Sequence, residues 1–311
     1  MDSQRLVSRL ALGACFFAFG VIALGAFTRL IDAGLGCPDW PGCYGHWVVQ
    51  ATDSYKAWAE MIHRYFAGCL SLLIVTIVIF LFKKDLRKRI NIFLALILIL
   101  LILYQIMLGQ WTVTLKLLPI IVTQHLLGGF LILATLWSVY LNNTPIVRVK
   151  KNVSLLFPFA ILGLVLILVQ ICLGAWTSTN YASLSCPDFP FCQNNQPDMT
   201  FYFKQAYHLL TPVGMPTEIR QTIQMTHRIG ALVLTIYLFL LTLFSFFQLK
   251  DYPKIMSSLF ILLALLSIQL CLGIANVIFK LPLVTAVSHN LVAALLLLTM
   301  ISFIFKLKAS E

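Results

Sequence analysis

Apolar residues occupy eight long, uninterrupted stretches of the chain, and short polar segments separate them. Each stretch is about long enough to cross a hydrocarbon core of roughly 30 Å as a helix. A transmembrane β-barrel would show alternating apolar and polar residues, which these stretches lack. The pattern predicts an all-α integral membrane protein with eight transmembrane helices at Leu10–Phe27, Phe66–Phe82, Ile92–Leu115, Ile120–Leu141, Leu155–Ala175, Ile229–Phe247, Ile255–Phe279 and Leu283–Phe305.

The composition agrees with this class. Of the 311 residues, 60% are hydrophobic and 11% are charged, whereas soluble domains carry roughly 25% charged residues. The first apolar stretch follows Arg5 and Arg9, which is also the form of a secretory signal peptide. It lacks an A-x-A cleavage site, and a motif at its end recurs in the middle of the chain. We therefore interpret it as the first membrane helix.

Basic residues are distributed unequally between the two sides of the predicted bundle. Fourteen of the 22 Lys and Arg residues lie on the side of the two termini, and the opposite side carries eight on longer loops. Because basic loops stay in the cytoplasm, we expect both termini in the cytoplasm and the cysteine-containing loops outside, in a multi-pass protein of the cell membrane. This bias accounts for the net charge of +11, so nothing indicates a nucleic-acid partner.

The chain contains an internal repeat. Leu24–Cys43 matches Leu173–Cys192 with a displacement of 149 residues, and Glu60–Arg64 matches Gln224–Arg228 with a displacement of 164. Four helices are therefore duplicated as two tandem, pseudo-symmetric four-helix bundles. Four helices return the chain to its starting side, so both copies have one membrane orientation.

We expect one half at residues 1–145 and the other at 146–311. The second half contains fifteen extra residues between its first two helices. They fall within Asp188–Arg220, which we interpret as an outer loop with a short amphipathic helix near Phe201–Leu210.

Four of the six histidines share one depth, five to eight residues inside the outer ends of predicted helices 2, 4, 6 and 8. A single membrane histidine commonly hydrogen-bonds to a neighbouring helix, but two at one depth in each half suit the axial positions of a haem iron. Zinc fits less well because no compact set of three ligands appears. We therefore predict haem iron ligation by His63, His125, His227 and His289. The remaining histidines, His46 and His208, fall in outer loops.

Other repeated residues flank these histidines. Arg64 and Arg228 directly follow two of them and suit contact with a haem propionate, the alternative being arginines that extend to the membrane surface. Predicted helices 1, 3, 5 and 7 end in Leu-Gly pairs, whose small residue favours close helix packing or the approach of a flat macrocycle. These glycines are Gly25, Gly109, Gly174 and Gly273.

The two halves differ next to the first histidine. Glu60 lies three residues before His63, on the same helix face, and the matching residue in the second half is Gln224. A carboxylate near the membrane boundary beside a haem ligand can transfer a proton or stabilise a developing cation. The alternative is an interfacial carboxylate paired with Arg64 or Lys56. We predict that Glu60 is catalytic and that the first half performs the chemistry.

Two cysteine pairs share the spacing C-P-D-[WF]-P-x-C. Five intervening residues with two prolines can bring the sulfur atoms within bonding range on the oxidising side of the membrane. We therefore predict the disulfides Cys37–Cys43 and Cys186–Cys192. A zinc site is less suitable because no histidine shares the spacing. For the first pair, a redox or substrate-shaping role beside Glu60 is a further interpretation.

Together, the motif Glu-x-x-His-Arg, the two later histidines and the paired cysteine loops resemble the haem A synthase family over essentially the whole chain. The resemblance implies that haem O, made from haem B by a farnesyltransferase, is the substrate. Its C8 methyl group is oxidised by two successive hydroxylations, and the gem-diol loses water to give the formyl group of haem A. The product serves cytochrome c oxidase.

The resemblance also implies a role for each half. His63 and His125 would frame the substrate haem in the first half, with Glu60 essential and the Cys37–Cys43 bridge assisting. His227 and His289 would ligate a haem B cofactor in the second half. Some family members lack one or both cysteine pairs, so neither bridge is universally required. The farnesyltransferase is an expected partner and a homo-oligomer is compatible with the sequence, which specifies neither the electron donor nor the oxygen source.

Two other functions compete with this interpretation. A di-haem electron-transfer cytochrome normally stacks its haems at different depths, whereas the four histidines share one depth, and Glu60 would have no evident purpose there. A haem exporter or chaperone would present haem at the outer face. Accumulation of haem O in cells lacking the protein separates the synthase from both.

Overall fold

The computed structural model describes residues 3–50, 54–145, 155–192 and 216–307. These residues form eight α-helices, with no β-strand among them. In chain order the helices are α1 (Ser3–Leu30), α2 (Tyr55–Leu81), α3 (Arg89–Thr114), α4 (Pro119–Asn142), α5 (Leu156–Thr179), α6 (Thr217–Leu249), α7 (Pro253–Ile278) and α8 (Leu283–Leu307).

All eight helices are long and apolar enough to cross a membrane, which confirms the predicted class of a multi-pass membrane protein. Hydropathy located two helix starts poorly. α2 and α6 begin eleven and twelve residues before the predicted Phe66 and Ile229. The first turns of these two helices pack against the cysteine loops and are polar. The apolar stretches therefore did not include them. As a result His227 lies ten residues into α6, deeper than the predicted five to eight.

The repeated glycines do not end their helices, contrary to the interpretation of the Leu-Gly pairs, whereas the apolar stretches placed the ends of helices 3 and 7 within one residue. α1, α3, α5 and α7 each end five residues beyond the repeated glycine. Glycine has a low helix propensity, but inside a membrane the backbone must satisfy its own hydrogen bonds, which favours continued helix.

The chain forms two compact units, Met1–Pro145 and Ile146–Glu311. In the first unit, α1 packs against α2 and α4, and α3 packs against the same two helices. α2 and α4 therefore occupy opposite corners of a four-helix bundle. The second unit repeats the arrangement, with α5 and α7 each packed against α6 and α8. The histidine-bearing helices of each unit thus face one another across its bundle.

A repeated turn determines where α4 and α8 begin. After α3, Lys116 and Leu117 adopt left-handed φ values of 50° and 59°, and the backbone N–H of Leu117 donates to the carbonyl of Thr112 at 2.8 Å. Pro119 then begins α4, a position where its missing N–H costs no helical hydrogen bond. The turn before α8 has the same two left-handed residues, Lys280 and Leu281.

The predicted insertion is described only at its edges. Residues 193–215, which include the expected amphipathic helix and His208, lie outside the described part of the chain. The interpretation of Asp188–Arg220 as a loop is wrong at its end, because α6 already includes Thr217 and Arg220.

Candidate haem-binding site

Two histidine pairs lie at the centres of the two bundles. The ring centres of His63 and His125 are 6.5 Å apart with an interplanar angle of 83°. Those of His227 and His289 are also 6.5 Å apart, with an angle of 75°. All four side chains are partly buried. Each unit therefore brings together the two histidines that its sequence predicted as a pair.

The spacing of each pair fits one haem iron. A metal–nitrogen bond to histidine is about 2.0 Å long, so imidazoles on opposite sides of one metal have ring centres roughly 6 to 7 Å apart. Each ring can rotate about its own metal–nitrogen bond, so the angles of 83° and 75° are compatible with this arrangement. Among the described residues, no three His, Cys, Asp or Glu side chains come together as a metal site. The donors present therefore fit two axial haem ligands per unit.

The repeated glycines provide space for the imidazoles. A methyl group at Gly25 would lie 3.0 Å from Cε1 of His63, and one at Gly174 would lie 3.1 Å from Cε1 of His227. Gly273 faces His289 in the same way, at 3.2 Å, and Gly109 faces His125 at 3.7 Å. Each glycine on one helix thus lets the ring of a neighbouring helix approach its backbone. The same glycine contact therefore packs the two helices together and positions the imidazole ring.

The surroundings of the histidines differ between the units. In the second unit, the amide nitrogen of Gln170 lies 3.0 Å from Nδ1 of His227, and that of Gln269 lies 3.2 Å from Nε2 of His289. Among the described residues, Nδ1 has no hydrogen-bond partner in His63, His125 or His289, so His227 differs from the other three. Gln170 was not predicted as a site residue. The repeat contained a signal for it, because the matching first-half residue is the apolar Val21.

Glu60 and Arg64 connect α2 to the first cysteine loop, whose Cys37 and Cys43 form a disulfide. The carboxylate is 5% exposed, and its Oε2 accepts a hydrogen bond from the backbone N–H of Cys37 at 2.8 Å. Oε1 forms an ion pair with Arg64. Of the two pairings considered for Glu60, the structure contains the one with Arg64.

The Arg64 guanidinium also closes the loop itself. Its Nη1 donates to three loop carbonyl oxygens at 3.0, 3.2 and 2.6 Å, those of Asp39, Pro41 and Gly42. Contact of Arg64 or Arg228 with a haem propionate stays a prediction. In the structure both side chains hydrogen-bond to their cysteine loops, and Arg64 also pairs with Glu60.

The second unit builds the same connection without a carboxylate. Oε1 of Gln224 accepts from the backbone N–H of Cys186 at 2.6 Å, and its Nε2 donates to the carbonyl of Ser183 at 2.6 Å. Arg228 donates to the carbonyl of Cys186 at 2.8 Å. Cys186 is bonded to Cys192. A side-chain oxygen at this position thus holds the first cysteine in both units, and among the described residues only the first unit adds an ion pair there.

Asp39 organises the far side of the first loop. Its carboxylate accepts from the backbone N–H groups of Tyr44 at 2.7 Å and Gly45 at 2.8 Å, both of which have positive φ. These bonds, that of Gly45 most of all, and the nearby Arg64 charge hold the pKa of Asp39 below its usual value. Cys43 and His46 pair through their backbones in the same turn.

Comparison with known proteins agrees with these features. The sequence model of the cytochrome oxidase assembly protein family matches residues 8–301. A heme A synthase of Shewanella oneidensis is 44% identical over 313 residues, covering 92% of this chain and 92% of that protein. Heme A synthases of Bacillus cereus and Bacillus anthracis are each 25% identical, covering 99% and 93% of this chain and 97% and 89% of their own lengths. The chain belongs to the cytochrome oxidase assembly protein family.

Proposed function

We propose that this chain is a haem A synthase, an oxidoreductase that converts the C8 methyl group of haem O into the formyl group of haem A for cytochrome c oxidase. The observation that carries the proposal is a histidine pair spaced for one haem iron in each unit, with a buried carboxylate, among the residues that the structure describes, beside only the first pair. The relatives named heme A synthase cover nearly the whole chain, including both units.

The first unit, 1–145, is the proposed substrate site. His63 and His125 hold haem O from α2 and α4 with their rings 6.5 Å apart. Gly25 lets the ring of His63 lie directly against α1. The outer ends of these helices are joined to the disulfide loop by Arg64. The residues of this unit bind and orient the substrate.

Glu60 is the proposed catalytic residue. It lies one helical turn from His63, and it faces the backbone N–H of Cys37 and the Arg64 guanidinium. Paired in this way, the carboxylate holds negative charge that stabilises positive charge developing at the porphyrin edge. Oε1 accepts a proton only when Arg64 gives way, because the guanidinium occupies that oxygen. Gln224 cannot perform either role in the second unit, since an amide does not ionise.

The second unit, 146–311, is the proposed haem B site, where His227 and His289 would hold the haem iron. When bound there, haem B supplies a one-electron redox centre. The ring of His227 lies against Gly174 and Gln170, and that of His289 against Gly273 and Gln269. These contacts orient the ligands in a unit that lacks the carboxylate.

We further propose that the protein is located in the cytoplasmic membrane, with both termini in the cytoplasm and the cysteine loops outside. The excess of Lys and Arg on the side of the termini supports this orientation. The farnesyltransferase that makes haem O is the proposed upstream partner, because haem O is too apolar to leave the membrane readily.

Haem analysis of cells with and without the protein tests the function. Membranes lacking the chain are expected to accumulate haem O and to contain no haem A, and complementation is expected to restore haem A. The purified protein is expected to contain haem B together with haem O or haem A. Unchanged haem A in the deletion strain would overturn the proposal. Haem B alone in the purified protein, with haem A unchanged in cells, would instead indicate an electron-transfer cytochrome.

A further inference from the structure

One side of α2 exposes bulky aromatic and aliphatic side chains near the start of the helix. Neighbouring members lie one to four residues apart, a spacing that keeps them on one side of a helix. Each of them is between 37% and 68% exposed. His63 faces His125 across the bundle, and Arg64 faces the cysteine loop, so this is a third side of the helix. We call it the aromatic stripe, and it consists of Tyr55, Trp58, Ile62, Tyr65 and Phe66.

The first cysteine loop reaches the aromatic stripe at Trp47. The hydroxyl of Tyr65 donates a hydrogen bond to the backbone carbonyl of Trp47. Two residues later, Val49 is buried in one cluster with Ala57 and Met61 of α2 and the two loop cysteines. The Trp47 side chain itself remains 73% exposed. This segment is therefore fixed to α2 while its indole faces away from the protein.

The aromatic stripe begins at the polar end of α2 and runs into its apolar part. Tyr55 is the first residue of α2, and Phe66 lies eleven residues further along, about 16 Å along the helix axis. Beyond Phe66 the same side continues through the exposed residues Cys69, Leu72 and Thr76, on a helix long and apolar enough to cross a membrane. The stripe is thus continuous with the lipid-facing side of α2.

The chemistry of the stripe changes along this direction as a lipid layer does. Tyr55 and Trp58, at the polar end, combine an apolar ring with one polar group, and such side chains are enriched at the level of lipid headgroups. Ile62 and Phe66, further in, have no polar atom in their side chains. The hydroxyl of Tyr65 lies at this deeper level, and its bond to the loop carbonyl satisfies it where hydrocarbon offers no partner. A phospholipid surface is therefore the partner that matches the stripe.

The second unit does not repeat the stripe. Its matching residues are Ile219, Thr222, Thr226, Ile229 and Gly230, none of them aromatic. The first two, Ile219 and Thr222, are only 7% and 8% exposed. Ile219 packs with Ala182 and Ile223, next to Trp176. Protein contacts thus cover this side of α6 where the first unit leaves the matching side of α2 exposed.

We propose that Trp47 and the aromatic stripe bind phospholipid and seat the first cysteine loop in the headgroup layer on its side of the membrane. The indoles of Trp47 and Trp58 and the phenol of Tyr55 lie among the headgroups, and Ile62 and Phe66 contact the acyl chains. The loop is then supported on one side by its bonds to α2 and on the other by lipid. This inference rests on the membrane class of the chain and not on its proposed activity.

Fluorescence quenching of the full-length protein in phospholipid nanodiscs tests the contact. Subtracting the emission of Trp47→Phe from that of the wild type isolates the emission of Trp47. Its intensity in brominated lipid is divided by that in plain lipid, so that quenching by bound haem cancels. We expect strong quenching by phosphatidylcholine brominated near the headgroup, weaker quenching by lipid brominated near the chain ends, and little quenching by iodide in the water.

Tyr65→Phe tests the bond that fixes Trp47, with each variant measured against the same variant carrying Trp47→Phe. Removing the hydroxyl frees the Trp47 carbonyl, so we expect more quenching by iodide and less by brominated lipid. Tyr55→Phe is the matched control, because it removes a hydroxyl of the same stripe while the Tyr65 bond to this carbonyl stays. We expect it to leave both values unchanged. Equal changes in the two variants would contradict the role of the Tyr65 bond.

The two disulfides report whether lipid supports the first loop. Trp47→Ser removes the indole from the lipid contact, so we expect a phosphine in the water to reduce Cys37–Cys43 several-fold faster in nanodiscs. Cys186–Cys192 in the same molecules serves as the control and is expected to keep its rate. Acceleration of both disulfides, or of neither, would contradict a lipid contact specific to the first loop.

Two results of the quenching experiment would overturn the lipid contact. Quenching of Trp47 by iodide and not by brominated lipid would place the indole in water. Protection from both quenchers would show that protein covers the stripe, as a second copy of the chain or another protein would. Neither result depends on haem A formation, so the failure of this contact is distinguishable from failure of the proposed function.

Discussion

The two units share a framework, and three of the differences between them concern residues near the first histidine of each pair. In both, opposite helices present a histidine pair at 6.5 Å, and an arginine and a side-chain oxygen hold a disulfide loop. The differences are Glu60 against Gln224, Val21 against Gln170, and Phe66 against Gly230.

The three differences change the groups that surround the first histidine of each unit. The first unit has the ionisable group and the histidine without side-chain support. The second has the neutral amide and the hydrogen-bonded ring. Duplication thus preserved the histidine geometry of the proposed haem sites and altered residues beside it. The following substitutions test that division.

Removing one histidine from each unit is expected to separate the two haems. His227→Ala removes a proposed ligand of the second-unit haem, so we expect the purified protein to lose that low-spin haem. His63→Ala is expected to keep it and to abolish haem A formation. Absorption spectra and extracted haem measure both effects. Identical spectra and activities of the two variants would show that the units are not divided in this way.

Converting Glu60 to its second-unit counterpart is expected to abolish the chemistry alone. Glu60→Gln can still accept the hydrogen bond of Cys37, as Gln224 does for Cys186. We therefore expect unchanged haem content and a fall in haem A formation of about 100-fold or more. Gln224→Glu serves as the control and is expected to retain haem A formation. Full activity of Glu60→Gln would remove its catalytic assignment.

The glycines allow a graded test of ring placement. Gly25→Ala would add a methyl group 3.0 Å from Cε1 of His63, whereas Gly109→Ala would add one 3.7 Å from Cε1 of His125. The first contact requires the ring to shift by a few tenths of an ångström, and the second is ordinary van der Waals distance. We expect several-fold weaker haem O binding for Gly25→Ala and little change for Gly109→Ala. Equal binding by the two variants would contradict the glycine contacts.

The smallest expected effect is a pH dependence of the stability of the first cysteine loop, caused by Asp39. Because the folded state lowers the pKa of Asp39, its contribution to loop stability is present above the unfolded value of about 3.9. It is lost as the pH falls through that value towards the lower folded one. We expect the Cys37–Cys43 disulfide to be reduced faster by a phosphine at about pH 3 than at pH 6. Asp39→Asn should weaken this pH dependence, and an unchanged profile would exclude the carboxylate as its cause.

Sequence predicted the helices well and their polar ends poorly. The eight apolar stretches were located because the membrane core demands continuous apolar residues. The first turns of α2 and α6 were missed because they pack on loops and carry Glu60, Gln224 and other polar residues. The interpretation of the Leu-Gly pair at Gly25 as a helix end was wrong because glycine is a poor helix former in water, while a membrane penalises unpaired backbone groups.

The sequence by itself determined the membrane class, the duplication and the contrast between Glu60 and Gln224, because these are properties of residues in linear order. Only the tertiary structure decided that Arg64 holds the cysteine loop, that Gly25 receives the ring of His63, and that Gln170 reaches His227. The physical reason is that these helices are apolar around most of their circumference. Such a pattern does not specify which side of a helix faces its neighbour, and that rotation selects every contact of the site.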